Sequence, residues 1–361
     1  MILNFWYRFL YFVNDFSIYL SLITVFLLAV IFGSIKIHRS HFSETKKKAL
    51  FIILFSFFFI VLIYSGFEGY FRYRFDESDS LGFLKVNGRW FQRHVVFNSY
   101  FVRDREFTRE KKEGLTRIGV IGDSIAMGYG IKNVKDRFSN ILEKKLRDAK
   151  QNVEVYNLGE SGADTDTEII NYNKAKKLNL DIVVWEYFFN DAEPSINNQG
   201  TKVLIKANVR GKITTFVSNY SYFFDYVYWR LSTRYEKTFK ELRTADMASY
   251  KDEKNFQRHK NVVTSFIKQL KDDNRKIVVI IFPFMYFLPN YPANDIHTTM
   301  NNVFRENGVE PIDLLNDLKN EYSKNLIVSK FDYHPNESVQ KLAAQKLYDK
   351  ILPLLNQSES K

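Results

Sequence analysis

Arg117–Ser124, with the sequence RIGVIGDS, joins a strongly apolar run to a short polar turn. The run Ile118–Ile121 is typical of a buried β-strand, and Gly122 begins the turn. A serine attacks a carbonyl carbon only when it has a base beside it, a group that orients the base, and hydrogen-bond donors for the resulting oxyanion. We therefore interpret Ser124 as a candidate nucleophile and expect its partners downstream.

Three polar signals follow along the chain, two of them directly after further apolar runs. They are Asn157–Gly162 (NLGESG), Asn190–Asp191 and Asp332–Pro335 (DYHP). Glycine backbone and asparagine side-chain N–H groups are suited to stabilising an oxyanion, and histidine is the commonest general base. The three signals therefore contain the residue types that a serine nucleophile needs.

The region that contains these signals alternates between strand and helix patterns. We predict strands at Arg117–Gly122, Val153–Leu158, Asp181–Tyr187 and Lys276–Phe282, and helices at Val134–Ala149, Asp164–Leu178 and Asn255–Lys271. Apolar β-branched strands between amphipathic helices favour a parallel sheet buried on both faces. The expected fold class is α/β, a three-layer α/β/α sandwich with reactive groups beyond the carboxyl ends of its strands.

The order of the four signals resembles the SGNH (GDSL-type) hydrolase family, over roughly Asn98–Leu355. The resemblance implies a flavodoxin-like parallel sheet and a site without a cofactor. It also implies that Ser124 is the nucleophile and His334 the base. The Ser124 backbone, Gly162 and Asn190 would then form the oxyanion hole, and a glycine at 162 omits the β-carbon that would block backbone approach.

Two positions of this chain depart from the family pattern. Phe188 stands where the family usually has a glycine two residues before the asparagine, and Phe331 stands where the family's acid precedes the histidine by three residues. The nearby carboxylate is Asp332, and Pro335 favours the extended backbone in which residues two apart face the same way. Two arrangements remain open: Asp332 orients His334, or a backbone carbonyl does so.

The composition limits the kinds of site that the chain can contain. Its 361 residues include no cysteine, which excludes disulfides, thiolate metal sites and cysteine nucleophiles. The histidines other than His334 lie in no motif, so we expect no metal centre. The net charge of +11 comes from dispersed basic residues, which favours a membrane surface or an acidic glycan, rather than nucleic acid, as a partner.

Two N-terminal segments without charged residues, 16–35 and 49–67, approach the roughly 20 apolar residues of a membrane-spanning helix. The alternatives are a signal peptide for the first segment and a buried core helix for the second. The loop 36–48 between them is basic, and short basic loops stay in the cytoplasm. We therefore expect a two-pass protein of the bacterial inner membrane whose later residues face the periplasm or the cell exterior.

The domain boundaries follow from these patterns. We predict a membrane hairpin at 1–70, a connector at 71–115, a hydrolase domain at 116–355 and a disordered tail at 356–361. The aromatic-rich stretch 194–250 is predicted to be a helical insertion between the third and fourth strands. It is either a cap over an acyl or sugar groove, or a pair of helices that buries its own aromatic residues.

The sequence thus predicts a membrane-anchored serine esterase that removes acyl groups, acetyl above all, from a cell-envelope or secreted glycan. The expected partners are the acylated glycan or lipid substrate, the bilayer and the envelope polysaccharide machinery. The segment Asn98–Phe107 supports this prediction, because it is similar to bacterial family members encoded with envelope polysaccharide genes. The alternatives are a lipid-directed esterase, an O-acyltransferase, and a catalytically silent scaffold subunit of an envelope assembly.

Overall fold

The computed structural model describes residues 2–192 and 211–359 and contains two compact units. One unit is Met1–Phe75 with Ser218–Phe224, and the other is Asp76–Val217 with Asp225–Lys361. Part of the predicted insertion, 194–210, lies outside the described residues, and so do the last two residues of the chain.

The first unit is built on two long helices, α1 (Ile2–His38) and α2 (Glu44–Tyr73). The predicted spans 16–35 and 49–67 lie within them, and both helices are long and apolar enough to cross a membrane. Arg72 near the end of α2 pairs with Asp15 on α1 at 2.8 Å, which makes the two helices an antiparallel hairpin. The Glu68 carboxylate accepts hydrogen bonds from Ser221 Oγ and from the next two backbone N–H groups, so α2 holds the segment Ser218–Phe224.

The second unit contains a five-stranded parallel sheet, which confirms the predicted fold class. Its strands are β1 (Thr116–Ile121), β2 (Val153–Asn157), β3 (Ile182–Tyr187), β4 (Lys276–Ile281) and β5 (Ile312–Asp313). Their order is β2-β1-β3-β4-β5, the flavodoxin-like order, in which the direction of winding reverses beside β1. The sequence predicts the first four of these strands. The fifth has only two residues, which is too short for a recognisable periodicity.

Helices cover both faces of this sheet, and further helices lie outside these two layers. They are α3 (Lys85–His94), α4 (Ser124–Met127), α5 (Phe138–Asp148), α6 (Thr165–Ala175), α7 (Lys212–Tyr220), α8 (Tyr222–Leu231), α9 (Arg234–Lys251), α10 (Glu253–Asp272), α11 (Asn294–Glu306), α12 (Leu315–Leu318) and α13 (Glu337–Glu359). One layer contains α5 and α13, and another contains α6, α10 and α11. The described part of the predicted insertion forms α7, α8 and most of α9. Because α13 continues to Glu359, it covers most of the tail for which the sequence predicts disorder.

Candidate active site

Ser124 lies where β1 ends and the short helix α4 begins. Asp123 caps this helix, because its carboxylate accepts a hydrogen bond from the Ile125 N–H at 2.7 Å. Gly122 is required by close packing, since a β-carbon there would lie 2.4 Å from Glu186 Oε2. The strand, the glycine and the cap together present Ser124 at the carboxyl edge of the sheet, where β1 and β3 are neighbours.

His334 lies between Ser124 and Asp332. Its Nε2 is 2.9 Å from Ser124 Oγ, and its Nδ1 is 2.6 Å from Asp332 Oδ1. The Val328 N–H donates to the His334 carbonyl at 3.0 Å, and an isolated antiparallel bridge pairs Ile327 with Pro335, which holds this part of the chain in place. The nearer contact of Nδ1 is thus with the Asp332 carboxylate, as in the first of the two arrangements that the sequence left open, and Ser80 Oγ lies 3.3 Å from the same nitrogen.

Asp332 is fully buried but surrounded by hydrogen-bond donors. Ser80 Oγ donates to Oδ1 at 3.0 Å, the His334 N–H donates to the same oxygen at 3.0 Å, and Ser78 Oγ donates to Oδ2. Burial opposes ionisation, but the charge of His334 and these hydrogen bonds outweigh it and lower the pKa of Asp332 below its usual value. Asp332 is therefore ionised at neutral pH.

This ionised carboxylate determines the tautomer of the imidazole. An acceptor beside Nδ1 keeps a proton on that nitrogen, so neutral His334 has a free lone pair on Nε2. The Ser124 hydroxyl can then donate its proton to Nε2. The Tyr129 ring lies 4.9 Å from the imidazole, between ring centroids, and packs against it.

The expected oxyanion donors lie around Ser124. Asn190 Nδ2 donates to Asp123 Oδ2 at 3.0 Å, and the same oxygen is 3.3 Å from Ser124 Oγ, which places the Asn190 amide next to the serine. Gly162 lines the same cavity as Ser124 and has φ of +79°. No described atom lies within 4 Å of the position of a β-carbon at Gly162, so within the protein this glycine is required by its backbone angle and not by close packing.

Three buried carboxyl groups lie beneath these loops. Glu186 accepts hydrogen bonds from the N–H groups of Asp123 and Ala126, at 3.1 and 3.3 Å, and Asp191 accepts one from the Phe188 N–H at 3.2 Å. Glu168 accepts one from the Trp185 indole at 2.7 Å. Burial, and after it the negative charge of neighbouring carboxyl groups, raises the pKa of all three acids well above the usual range. The two loops that carry Ser124 and Asn190 are therefore anchored to buried acids.

Several residues around the site have no signal in the sequence. Ser78 and Ser80 belong to the predicted connector, in a stretch without any motif. Arg103, within the segment Asn98–Phe107, donates to the carbonyl groups of Gly128 and Ile131, at 2.6 and 2.7 Å, and so braces the loop behind α4. Hydrogen-bond partners separated by so many residues are brought together only by the fold.

The site opens into a cavity of about 380 Å³. Ser124, His334, Gly162 and Asn190 line it together with α9 and the loop that follows β4. Within the described ranges, no group of three His, Cys, Asp or Glu side chains is placed to hold a metal ion. The buried histidines His259 and His297 instead bond to tyrosine hydroxyl groups.

Comparisons with known proteins identify a family that matches the chain. Residues 120–342, more than half of the chain, match the GDSL-like Lipase/Acylhydrolase family. Solved structures similar to the chain include TesA (14% identity, 66% of this chain and 99% of that chain, TM-score 0.43). They also include the psychrotrophic esterase EstA from Pseudoalteromonas sp. (14% identity, 67% of this chain and 99% of that chain, TM-score 0.41). A third is the acetyl xylan esterase AlAXEase (14% identity, 65% of this chain and 99% of that chain, TM-score 0.40). None of the curated proteins matches the sequence. On the family match, the chain belongs to the GDSL-like lipase/acylhydrolase family of serine ester hydrolases.

Proposed function

We propose that this enzyme is a membrane-anchored esterase that removes acyl groups, acetyl above all, from a cell-envelope or secreted glycan. The observation that carries the chemical part of the proposal is the chain of contacts from Ser124 through His334 to Asp332, with 2.9 and 2.6 Å between the contacting atoms. Ser124 and His334 line a cavity that is large enough for an ester substrate.

The proposed reaction is a two-step acyl transfer through Ser124. His334 Nε2 takes the Ser124 proton while Oγ bonds to the ester carbonyl carbon, and the N–H donors of Ser124, Gly162 and Asn190 stabilise the oxyanion. The ester C–O bond then breaks, and His334 returns the proton to the leaving alcohol. Water, deprotonated by His334, attacks the acyl-Ser124 carbon, which releases the acid and restores the serine.

The proposed membrane anchor is the α1–α2 hairpin. Its apolar side chains are exposed, for example Leu22 at 65% and Ile52 at 68%, which suits helices that face lipid and does not suit a buried core helix. With the basic loop in the cytoplasm, the catalytic unit would face the periplasm or the cell exterior, where envelope glycans are found.

The test combines a catalytic variant with a substrate panel. Ser124→Ala should abolish both hydrolysis of p-nitrophenyl acetate and labelling by a fluorophosphonate probe, because the acyl group then has no nucleophile to bind. The wild-type enzyme should release acetate from acetylated glycans faster than it hydrolyses lipid esters. Retained labelling in Ser124→Ala would remove Ser124 from the mechanism. Faster lipid hydrolysis, or transfer of the acyl group to a sugar alcohol, would favour a lipid esterase or a transferase.

A further inference from the structure

A charged pair from α9 lines the cavity beside the proposed nucleophile. The side chains of Arg243 and Asp246 both line it, with 2.9 Å between Arg243 Nη1 and Asp246 Oδ2. Their side chains are only 13% and 5% exposed. Withdrawing two charges from water costs free energy that hydrophobic residues of the same size would not cost. Contact with a ligand in the cavity therefore explains a charged pair at this position better than a gain in stability does.

Aromatic rings surround the guanidinium group of Arg243. It lies 5.2 to 5.6 Å from the ring centres of Phe188, Phe239 and Phe284. The rings of Tyr286 and Tyr333 continue this wall, with 4.7 Å between their centres. Arg243 Nε is buried and has no hydrogen-bond acceptor among the described residues, so that part of the guanidinium is unsatisfied by the protein. The wall thus combines flat apolar surface with one fixed donor and acceptor pair.

The charges that line the cavity argue against an anionic ligand. Among the described residues that line it, Arg243 is the one Lys or Arg side chain, whereas three carboxyl groups are present, Asp79, Asp164 and Asp246. Asp246 balances Arg243, and the other two acids accept backbone hydrogen bonds, from Leu81 and Leu84 to Asp79 and from Thr167 to Asp164. A cavity with this balance does not attract an anion. Hydroxyl groups, which both donate and accept, match a guanidinium and carboxylate pair.

We propose that Arg243 and Asp246 bind the hydroxyl groups of an uncharged sugar ring whose acyl ester lies at Ser124, and that they make the enzyme prefer acyl esters of uncharged sugars. The ring would pack against the aromatic wall. Arg243 would donate hydrogen bonds to sugar oxygens, and Asp246 would accept one from a hydroxyl group. The proposal rests on the glycan esterase function proposed above and specifies its substrate class.

The experiment compares three acetyl esters on the full-length enzyme: a monoacetylated methyl glucoside, the matched monoacetylated methyl glucuronoside, and p-nitrophenyl acetate. The wild-type enzyme should prefer the glucoside to the glucuronoside. In Arg243→Met, the ratio of kcat/KM for the glucoside to kcat/KM for p-nitrophenyl acetate should fall by about tenfold or more, the loss expected for one hydrogen bond to a charged group. Asp246→Asn, which keeps the shape of the side chain, should lower the same ratio.

Controls separate binding from folding. Lys237→Met removes a positive charge from an exposed position of the same helix and should keep the wild-type ratio. Labelling of Ser124 by a fluorophosphonate probe reports an intact site. Loss of labelling in both Arg243→Met and Asp246→Asn would assign the pair to folding and overturn the proposal.

The remaining outcomes distinguish the two proposals. Two results would overturn the proposed subsite for uncharged sugars but leave the proposed glycan esterase function intact. One is an unchanged ratio of kcat/KM for the glucoside to kcat/KM for p-nitrophenyl acetate in both variants. The other is a wild-type preference for the glucuronoside that is lost in Arg243→Met. Hydrolysis of p-nitrophenyl acetate with neither sugar ester accepted would overturn the glycan esterase proposal itself, and with it the subsite.

Discussion

Asp332 precedes His334 by two positions, whereas the family's acid usually precedes its histidine by three. The backbone bends at His334, and Asp332 Oδ1 accepts hydrogen bonds from both the backbone and the ring of His334, so a local turn brings the carboxylate to the imidazole. Ser78 and Ser80 complete the set of donors around the carboxylate. The shorter spacing is thus compatible with the same contact between carboxylate and imidazole.

Asp332→Asn should lower kcat on p-nitrophenyl acetate by roughly 10⁴, because an amide at this position no longer keeps the imidazole in the required tautomer. Steady-state kinetics of the purified variant would measure this loss. Ser80→Ala is the matched comparison and should cost less, since the carboxylate and its contact with Nδ1 remain. A loss within about tenfold for Asp332→Asn would leave a Ser124–His334 dyad and contradict the assigned role.

Asn190→Ala should lower kcat by roughly 10²–10³ with little change in KM, because an oxyanion donor acts mainly in the transition state. Kinetics with a soluble acetyl ester would separate the two constants. If only KM rose, Asn190 would be a substrate-binding residue instead.

At the scale of secondary structure elements, the site is formed where β1 and β3 end side by side. Glu186, near the end of β3, accepts two N–H groups of the turn that carries Ser124. Asp191, just after β3, accepts an N–H group of the loop that carries Asn190. The relative position of Ser124, the proposed nucleophile, and Asn190, the proposed amide donor, is therefore set by hydrogen bonds to buried acids as well as by the sheet.

Glu186→Gln should reduce the loss of stability that accompanies a rise in pH. Because the pKa of Glu186 is raised in the folded state, its contribution to stability is fully present below the usual pKa of the unfolded state and is lost as pH rises through the folded pKa. Glutamine accepts the same two N–H groups and has no proton to lose. As the pH rises above about 4.5, the usual pKa of a glutamate, the Tm of the variant should fall less than that of the wild type.

The control for this experiment is Glu337→Gln, at an exposed position at the start of α13. Its Tm should follow the wild-type curve across the same pH range. Parallel curves for wild type and Glu186→Gln would show that deprotonation of Glu186 does not limit stability there.

At the scale of the whole molecule, the proposed topology is tested by cysteine accessibility. The chain has no cysteine of its own, so each introduced thiol reports one position. In intact cells with a permeabilised outer membrane, Ser43→Cys in the basic loop should be shielded from an impermeant thiol reagent, whereas Ser358→Cys should be labelled. The reverse pattern would place the catalytic unit in the cytoplasm and exclude an envelope glycan as its substrate.

The sequence by itself determined the parallel α/β fold, four of the five strands and the two apolar helices. Each of these leaves a local pattern, because burial on both faces of a strand, or along a long helix, requires apolar residues at a regular spacing. The four family signals also lie directly after such patterns or next to a proline. For this reason Ser124, Asn190 and His334 are recognisable as candidates from the sequence alone.

Only the tertiary structure decided which polar groups meet. Ser78 and Ser80 bind Asp332 although more than 250 positions separate them along the chain. Arg243 lines the cavity from a helix whose amphipathic sequence contains no motif that marks a binding residue. The two-residue strand β5 forms only because β4 offers it an edge. A hydrogen bond between distant residues depends on how the layers pack and leaves no periodic trace in either segment, so these contacts could not be predicted from local patterns.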